Sequence, residues 1–246
     1  MSSPQSSPFL LVVVPFRAGL GQEHRADHLR VFLETMPGFL EGMRYFIVVV
    51  EQTPGGKFNR GGLLNAGVAF AASKGIPFSG VCFHDVDLIP DFKMRTAYER
   101  SASVNVHLAR CWKRYDSSSY LGGALALTRT TVETINGFPN MFWGWGGEDD
   151  EVRRRLAHHR IPVEACEDGA YTDLENMSLE QKLEYLRANK RLKCSDKWEV
   201  RDGYIAARAR GEAVEGLRQI AFRIRGTREI TPMVVRLLVE LQGPSK

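Results

Sequence analysis

The 246-residue chain has neither closely paired cysteines nor a long apolar run near its start, and these features mark several common classes of protein. Its four cysteines, Cys82, Cys111, Cys166 and Cys194, form no C-x-x-C pair, which argues against a zinc ribbon or a redox dithiol. The longest early apolar run, 9–14, is far shorter than the roughly 20 residues of a membrane helix, and no basic residues precede it. We therefore expect no membrane span and a cytosolic location for the chain as written, although a lumenal fragment trimmed of its anchor would look much the same.

The chain also lacks a strong excess of charge of one sign. It has 33 basic and 29 acidic residues, a net charge of +4, and its arginines form no block, so a nucleic-acid partner is not expected. A composition of 43% hydrophobic and 25% charged residues is typical of a soluble globular protein. The small, polar residues 1–8 predict a flexible lead. No repeat or linker interrupts residues 9–246, which we interpret as one domain.

Strands and helices alternate in the first part of that domain. Short, continuous apolar runs at 10–14, 46–50 and 80–83 predict strands that are buried on both faces. Apolar residues spaced three and four apart predict helices over 29–40 and 62–73 between them. This order implies parallel strands joined by right-handed crossovers, which is typical of an α/β nucleotide-binding half.

We place that half at about 9–90 and the acceptor-binding and catalytic half at about 91–246. In the second half, helices are predicted to begin at Glu148 and at Ser178, where Ser-Leu-Glu-Gln fits a capping box. The segments 216–224 and 233–241 fit either closing strands or short helices.

Polar residues stand where the predicted strands end, which is where ligands bind in such sheets. Pro15-Phe16-Arg17, Glu51-Gln52 and Asp85-Val86-Asp87 occupy these places. Two carboxylates two residues apart in a turn can converge on one cation, and oxygen ligands select a hard ion such as Mg²⁺ or Mn²⁺. The alternative interpretation of Asp85-Val86-Asp87 is a solvated turn.

The segment 142–151, Phe-Trp-Gly-Trp-Gly-Gly-Glu-Asp-Asp-Glu, is the least expected by chance. Tryptophans among glycines offer flat faces for a sugar ring on a backbone that can approach a ligand closely. Four acids then open a helix. Compensation of the helix dipole explains some of these acids, whereas a carboxylate beside like charges and an aromatic platform is suited to act as a general base.

Seven segments in this order resemble the β-1,4-galactosyltransferase family, over residues 10 to about 175. His-Asp-Val-Asp and Glu-Asp-Asp-Glu look most like the branch that galactosylates xylose. The segments are Val-Pro-Phe-Arg (14–17), Glu-Gln (51–52), Phe-Asn-Arg-Gly (58–61), His-Asp-Val-Asp-Leu-Ile-Pro (84–90), Tyr-Leu-Gly-Gly (120–123), Asn-Gly-Phe-Pro-Asn (136–140) and the tryptophan segment (142–151).

The resemblance implies a GT-A fold, which is an α/β fold with a Rossmann-like half and a mixed central sheet. It also implies an inverting transfer of galactose from UDP-galactose to a sugar hydroxyl in β-1,4 linkage, with Mn²⁺ as cofactor. Mg²⁺ is the alternative ion, because carboxylate ligands favour hard cations. Xylose is the acceptor that it favours. The lumen of the Golgi is then the expected location if the chain is a trimmed fragment.

The resemblance assigns roles by position. Asp149 would be the base, Asp87 would bind the metal, and Glu148 and Asp150 would hold acceptor hydroxyls. Trp145 would lie against both the donor and the acceptor sugar. The donor would be held by Pro15, Phe16, Arg17, Phe58, Arg60, Asp85, Val86 and Asp87, with Tyr120 favouring galactose over N-acetylgalactosamine donors.

One segment departs from the family pattern. Where the xylose-specific branch has His-x-His to complete the metal site, this chain has Asp173-Leu174-Glu175. The spacing is kept, so we expect Asp173 and Glu175 to join Asp87 as metal ligands, with surface acids as the alternative. His158 and His159 lie at a predicted helix end, where an interaction with the helix dipole is the favoured role.

Two other functions compete with this one. A related GT-A enzyme could use another UDP-sugar, such as UDP-N-acetylgalactosamine, and Tyr120 argues against it. A catalytically silent carbohydrate-binding protein would need no metal-phosphate site, so the presence of both Asp87 and Asp149 disfavours it. The preferred interpretation requires Asp87 and Asp149 to face one shared cavity.

Overall fold

The computed structural model describes residues 9–18, 24–115, 117 and 119–243. The lead predicted for residues 1–8 lies outside them. The described residues contain ten strands: β1 (Phe9–Phe16), β2 (Arg44–Gln52), β3 (Gly80–His84), β4 (Leu88–Pro90), β5 (Val106–His107), β6 (Ala124–Thr128), β7 (Glu164–Ala165), β8 (Tyr171–Asp173), β9 (Phe222–Thr231) and β10 (Val234–Leu241). They also contain seven α-helices: α1 (His24–Phe39), α2 (Arg60–Ser73), α3 (Arg95–Arg100), α4 (Arg129–Thr134), α5 (Glu148–His158), α6 (Leu179–Ala188) and α7 (Lys197–Ala209).

Eight of the strands form one mixed sheet in the order β7-β5-β6-β3-β1-β2-β10-β9. At its centre β1 pairs in parallel with both β2 and β3, as the alternating strands and helices predict. The strands β6 and β9 run antiparallel to their neighbours β3 and β10. This confirms the α/β fold with a mixed central sheet.

The core lies on both faces of β1, because neighbouring residues of a strand point to opposite sides. Leu10, Val12 and Val14 belong to one apolar cluster with the buried face of α1. Leu11 and Val13 belong to a second cluster, which contains the buried face of α2. The continuous apolar run of this strand is therefore explained by cover on both sides.

Of the two segments that fitted either strands or short helices, 233–241 is almost entirely strand, whereas 216–224 contains a 3₁₀ turn at Leu217–Gln219 and only the first residues of β9. β10 is largely buried and extends the parallel part of the sheet beside β2, whereas β9 is a mostly exposed edge strand. The helices predicted from Glu148 and Ser178 are confirmed as α5 and α6, and Ser178 and Gln181 form the predicted capping box. No helix among the described residues is long and apolar enough to cross a membrane.

A two-stranded ribbon outside the main sheet brings two distant segments together. β4 pairs antiparallel with β8, so that Leu88 lies opposite Asp173, and Leu174 N donates to Asp87 O at 2.8 Å. The ribbon therefore holds the Asp85-Val86-Asp87 turn beside residues 173–175.

Candidate active site

A cavity of about 460 Å³ opens beside the carboxyl ends of β1 and β3 and the first turn of α5. Asp87 and Asp149 both line it, which is the arrangement that the sequence interpretation required. Most of the other residues expected at the site line it as well: Pro15, Arg17, Phe58, Arg60, Asp85, Val86, Tyr120, Trp145, Glu148, Asp150 and Glu175.

A buried histidine holds the turn after β3. His84 Nδ1 donates to the carbonyl oxygen of Asp85 at 2.8 Å, so Nε2 is free to accept from the Tyr98 hydroxyl at 2.6 Å. Burial lowers the pKa of His84 to about 4, which keeps the ring neutral in this arrangement. Asp85 N donates to Gly123 O at 2.8 Å. These bonds fix the direction in which Asp85 and Asp87 leave the sheet.

Arg60 is the centre of the acidic part of the site. It begins α2, where Asn59 caps the helix by accepting from Gly62 N at 2.8 Å. Its guanidinium lies 2.8 Å from Asp85 Oδ1, 2.9 Å from Asp149 Oδ1 and 3.8 Å from Glu148 Oε1. These carboxylates offset the unfavourable position of a cation at a helix N-terminus.

The pKa values of these carboxylates are governed by burial. Burial raises the pKa of Asp149, and Arg60 opposes the shift. The same two effects act on Asp85, whose pKa is also raised. Burial, and then the charge of Asp149, raise the pKa of Glu148 to about 8. Among the described residues Glu148 Oε2 has no hydrogen-bond partner, although it is buried. A raised pKa makes Asp149 a stronger base than an exposed aspartate.

Trp145 lies on a loop that two other segments, at Phe58 and at residues 192–194, help to fix. Gly144 N donates to Phe58 O at 2.7 Å, Trp145 N donates to Leu192 O at 2.7 Å, and Cys194 N donates to Trp145 O at 3.2 Å. Gly147 has a φ of 107°, and a Cβ there would lie 2.3 Å from the ring of Phe142, so glycine is required. The indole is 40% exposed, which leaves a flat apolar face available to a sugar.

Tyr120 stands next to Asp149. Its ring stacks on Tyr115 with centroids 4.2 Å apart, and burial raises its pKa well above the ordinary value. A Cβ at Gly122 would lie 2.3 Å from the Tyr120 hydroxyl oxygen and 2.6 Å from Asp149 Oδ2. The absence of a side chain at Gly122 therefore leaves room for both groups at the cavity wall.

The carboxylates expected to complete a metal site are occupied by cations. Glu175 Oε1 accepts from Arg25 at 3.2 Å and from Lys182 at 2.6 Å, and its Oε2 accepts from Arg114 at 2.6 Å and from Lys182 at 2.9 Å. Burial alone would raise the pKa of Glu175, but Lys182 and Arg25 lower it to about 2. All four lone pairs of this carboxylate are therefore in use.

Asp173 is engaged in the same way. Its Oδ2 lies 2.5 Å from Arg114 Nη2 and accepts from Trp112 Nε1 at 3.2 Å, while its Oδ1 accepts from Glu175 N at 3.0 Å. In the described part of the chain no three His, Cys, Asp or Glu side chains form a group that could hold a metal ion. A divalent ion at Asp87, Asp173 and Glu175 would have to displace these bonds and sit against positive charges. The donor set does not fit the expected Mn²⁺ in this arrangement.

Two expected site residues are not on the cavity wall. The side chain of Phe16 is 1% exposed and packs in the core, because it belongs to the face of β1 that α1 covers. Asp173 faces Arg114 and Trp112 rather than the cavity. Of the four acids that open α5, Glu151 is fully buried and pairs with Arg155 and Arg208, so its role is structural.

The sequence interpretation missed most of the basic residues at the site. The cavity is also lined by Arg25, Lys57, Arg114, Lys182, Arg191 and Lys197, together with Trp112, Tyr115 and Tyr185. Arg25, Arg114 and Lys182 come from α1, from the segment before Tyr120 and from α6, and only the fold brings them together. The segment Asp173-Leu174-Glu175 could have indicated these basic residues, because acids in place of the family's histidines imply that these side chains bind different partners.

The mixed sheet, with an Asp-x-Asp turn facing a cavity at the carboxyl end of β3, is the arrangement of the GT-A class of glycosyltransferases. Two family models match consecutive parts of the chain: "N-terminal region of glycosyl transferase group 7" over residues 5–101 and "N-terminal domain of galactosyltransferase" over residues 102–177. The chain belongs to the β-1,4-galactosyltransferase family.

Individual relatives agree with this assignment. Beta-1,4-galactosyltransferase 4 of Homo sapiens is 38% identical over 167 residues, which are 65% of this chain and 46% of the relative. Beta-1,4-galactosyltransferase 1 of Mus musculus is 37% identical over 158 residues, which are 62% of this chain and 37% of the relative. The chain thus matches less than half the length of these curated relatives.

The fold is also that of a solved enzyme. The catalytic domain of Drosophila β-1,4-galactosyltransferase 7, in complex with xylobiose, superposes with a TM-score of 0.73 at 25% identity, covering 96% of this chain and 94% of that one. A mutant of the same enzyme, in complex with manganese, UDP-Gal and xylobiose, matches equally well.

Proposed function

We propose that this chain transfers galactose from UDP-galactose to a sugar hydroxyl, with inversion and in β-1,4 linkage. The observation that carries the proposal is the cavity shared by Asp87, Trp145 and Asp149. The donor nucleotide would lie at the carboxyl ends of β1 and β3, against Pro15, Arg17 and Phe58, and its sugar would extend toward Asp149. The xylobiose bound to the Drosophila relative supports xylose as the acceptor.

The chemical step is a direct displacement. Asp149 accepts the proton of the acceptor hydroxyl while the oxygen of that hydroxyl attacks the anomeric carbon and the bond from that carbon to UDP breaks. A base of this kind typically contributes 10²–10⁴-fold in rate. Arg60 holds the Asp149 carboxylate in place before the acceptor arrives, at 2.9 Å. Glu148, with its unpaired Oε2, is suited to hold an acceptor hydroxyl.

Two elements position the sugars. Trp145 offers its exposed face to the galactose and the acceptor, and the φ values of Gly144, Gly146 and Gly147, between 102° and 107°, allow the loop to turn sharply around it. Tyr120 beside Asp149 favours a galactose donor. The residues present do not fit the Mn²⁺ or Mg²⁺ that would supply Lewis-acid stabilisation of the leaving group. Of the three expected ligands, Asp173 is paired with Arg114, and Glu175 is paired with Arg25, Arg114 and Lys182.

The test is the Asp149→Asn variant. It should bind UDP as tightly as the wild type in calorimetry, and its transfer to xylose, measured as UDP release from UDP-galactose, should fall by about 10²–10⁴-fold. Asp202→Asn is a matched control away from the cavity wall, and its expected loss is much smaller because its side chain is 62% exposed and paired with Arg201. Turnover at the wild-type rate in Asp149→Asn would remove Asp149 from the proposal.

A further inference from the structure

A cationic cluster stands where the family resemblance places a metal ion. It consists of Arg25, Arg114 and Lys182, which meet at the carboxylate of Glu175 from three different elements of the fold. All four residues are largely buried, with Arg25 the most exposed at 20%, and Arg25, Lys182 and Glu175 line the cavity together with Asp87. Nothing in the transfer mechanism above uses this cluster.

The position of the cluster points to a phosphate ligand. The ribbon of β4 and β8 holds it beside Asp87, at the end of the sheet where the donor nucleotide is proposed to bind. Arginine and lysine are the side chains that proteins use most to bind phosphate oxygens. Arg25 Nε is buried and has no hydrogen-bond partner among the described residues, so the cluster still has a donor to satisfy.

The net charge of the side chains that line the cavity also favours a phosphate ligand. Eight Lys and Arg side chains line it against six Asp and Glu side chains. The cavity therefore has a surplus of cations before any metal ion is added, and a diphosphate would balance it. An additional divalent cation would increase the surplus.

We propose that Arg25, Arg114 and Lys182 bind the diphosphate of the donor in place of a metal ion, and that Glu175 is a positioning residue that keeps these cations at the cavity wall. This inference rests on the proposed function, since it takes the donor to be a nucleoside diphosphate sugar. This chain has Asp173 and Glu175 where the xylose-specific branch has two histidines. If the inference holds, the charge of the leaving diphosphate is neutralised by side-chain cations instead of a metal ion.

Calorimetry with UDP and with uridine, each in EDTA and in Mn²⁺, tests this. The Kd for UDP should change by less than about threefold between the two conditions. Lys182→Gln should weaken UDP binding about tenfold or more and leave uridine binding unchanged, because uridine has no phosphates. Lys182→Arg should restore UDP binding. Lys190→Gln is a matched control, since this lysine lies just beyond α6 and outside the cavity wall.

Glu175→Gln separates the two roles of this residue by whether its effect depends on the metal ion. If Glu175 were a metal ligand, the variant would bind UDP more weakly in Mn²⁺ and as tightly as the wild type in EDTA. If Glu175 positions the three cations, the variant should change UDP binding to the same extent in Mn²⁺ and in EDTA. Thermal unfolding of each variant checks that the fold is intact.

Three results overturn the inference: UDP binding only in Mn²⁺, equal losses of UDP and uridine binding in Lys182→Gln, or weaker binding of UDP by Glu175→Gln in Mn²⁺ alone. Failure of the proposed function would look different. In that case the wild type would bind neither UDP nor uridine in either condition.

Discussion

Glu148 offers the sharpest test of the electrostatics of the site. Its side chain is 10% exposed, its Oε2 has no partner among the described residues, and burial with Asp149 raises its pKa from 4.5 to about 8. Between these two values the folded protein keeps the proton and the unfolded chain loses it. The free energy of unfolding must then fall as pH rises, by about 1.4 kcal/mol per pH unit for this group.

Glu148→Gln removes the titration and keeps the shape. From about pH 5 to about pH 8 the wild type should lose up to about 4 kcal/mol that the variant does not lose. Urea unfolding across this range measures the difference, which should be small at the acidic end and largest at the alkaline end. Asp150→Asn, on the exposed side of the same turn, should follow the wild type within about 0.5 kcal/mol. Parallel stability curves for Glu148→Gln and the wild type would refute the reasoning.

Two further variants test the geometry around Asp149. Arg60→Gln removes the cation that lowers the pKa of Asp149, so the acidic limb of the pH–rate profile at saturating donor should move upward by about 1–3 units; Arg60→Lys should move it less, and an unmoved limb contradicts the pairing. Gly122→Ala places a methyl group 2.3 Å from the Tyr120 hydroxyl and 2.6 Å from Asp149 Oδ2. Transfer should fall about tenfold or more, with UDP affinity within about threefold of the wild type. Gly226→Ala, whose added Cβ would lie 3.7 Å from Leu238, is the control, and equal activity of both variants would show that Gly122 is not needed for the site.

Local patterns in the sequence predicted the parts of the molecule that depend on local chemistry. Continuous β-branched runs gave β1, β2 and β3, the capping box gave the start of α6, and the strand ends gave the place of the cavity. The antiparallel pairing of β9 with β10 could not be predicted from the sequence. β9 is stabilised by this pairing and has little buried apolar surface of its own.

The site was predictable where a motif carries its own chemistry. Asp87 lies just after β3 and Asp149 lies in the first turn of α5, and both of these positions are visible in the sequence. The partners of Glu175 were not predictable, since Arg25 and Arg114 are 150 and 61 residues away along the chain and meet it only in the folded protein. Phe16 was misplaced for a related reason: the direction of a side chain at the end of a strand depends on the register, which motifs do not report.

The ribbon of β4 and β8 has a consequence for how such an enzyme can change. Its main-chain pairing fixes the spacing between the Asp-Val-Asp turn and residues 173–175 whatever side chains those residues bear. Two substitutions, one in β8 and one in the loop after it, can therefore change whether a metal ion or side-chain cations neutralise the leaving group, while the fold stays the same. The ribbon would therefore support either kind of site. Replacing Asp173 and Glu175 by histidines is a direct way to engineer dependence on a transition metal.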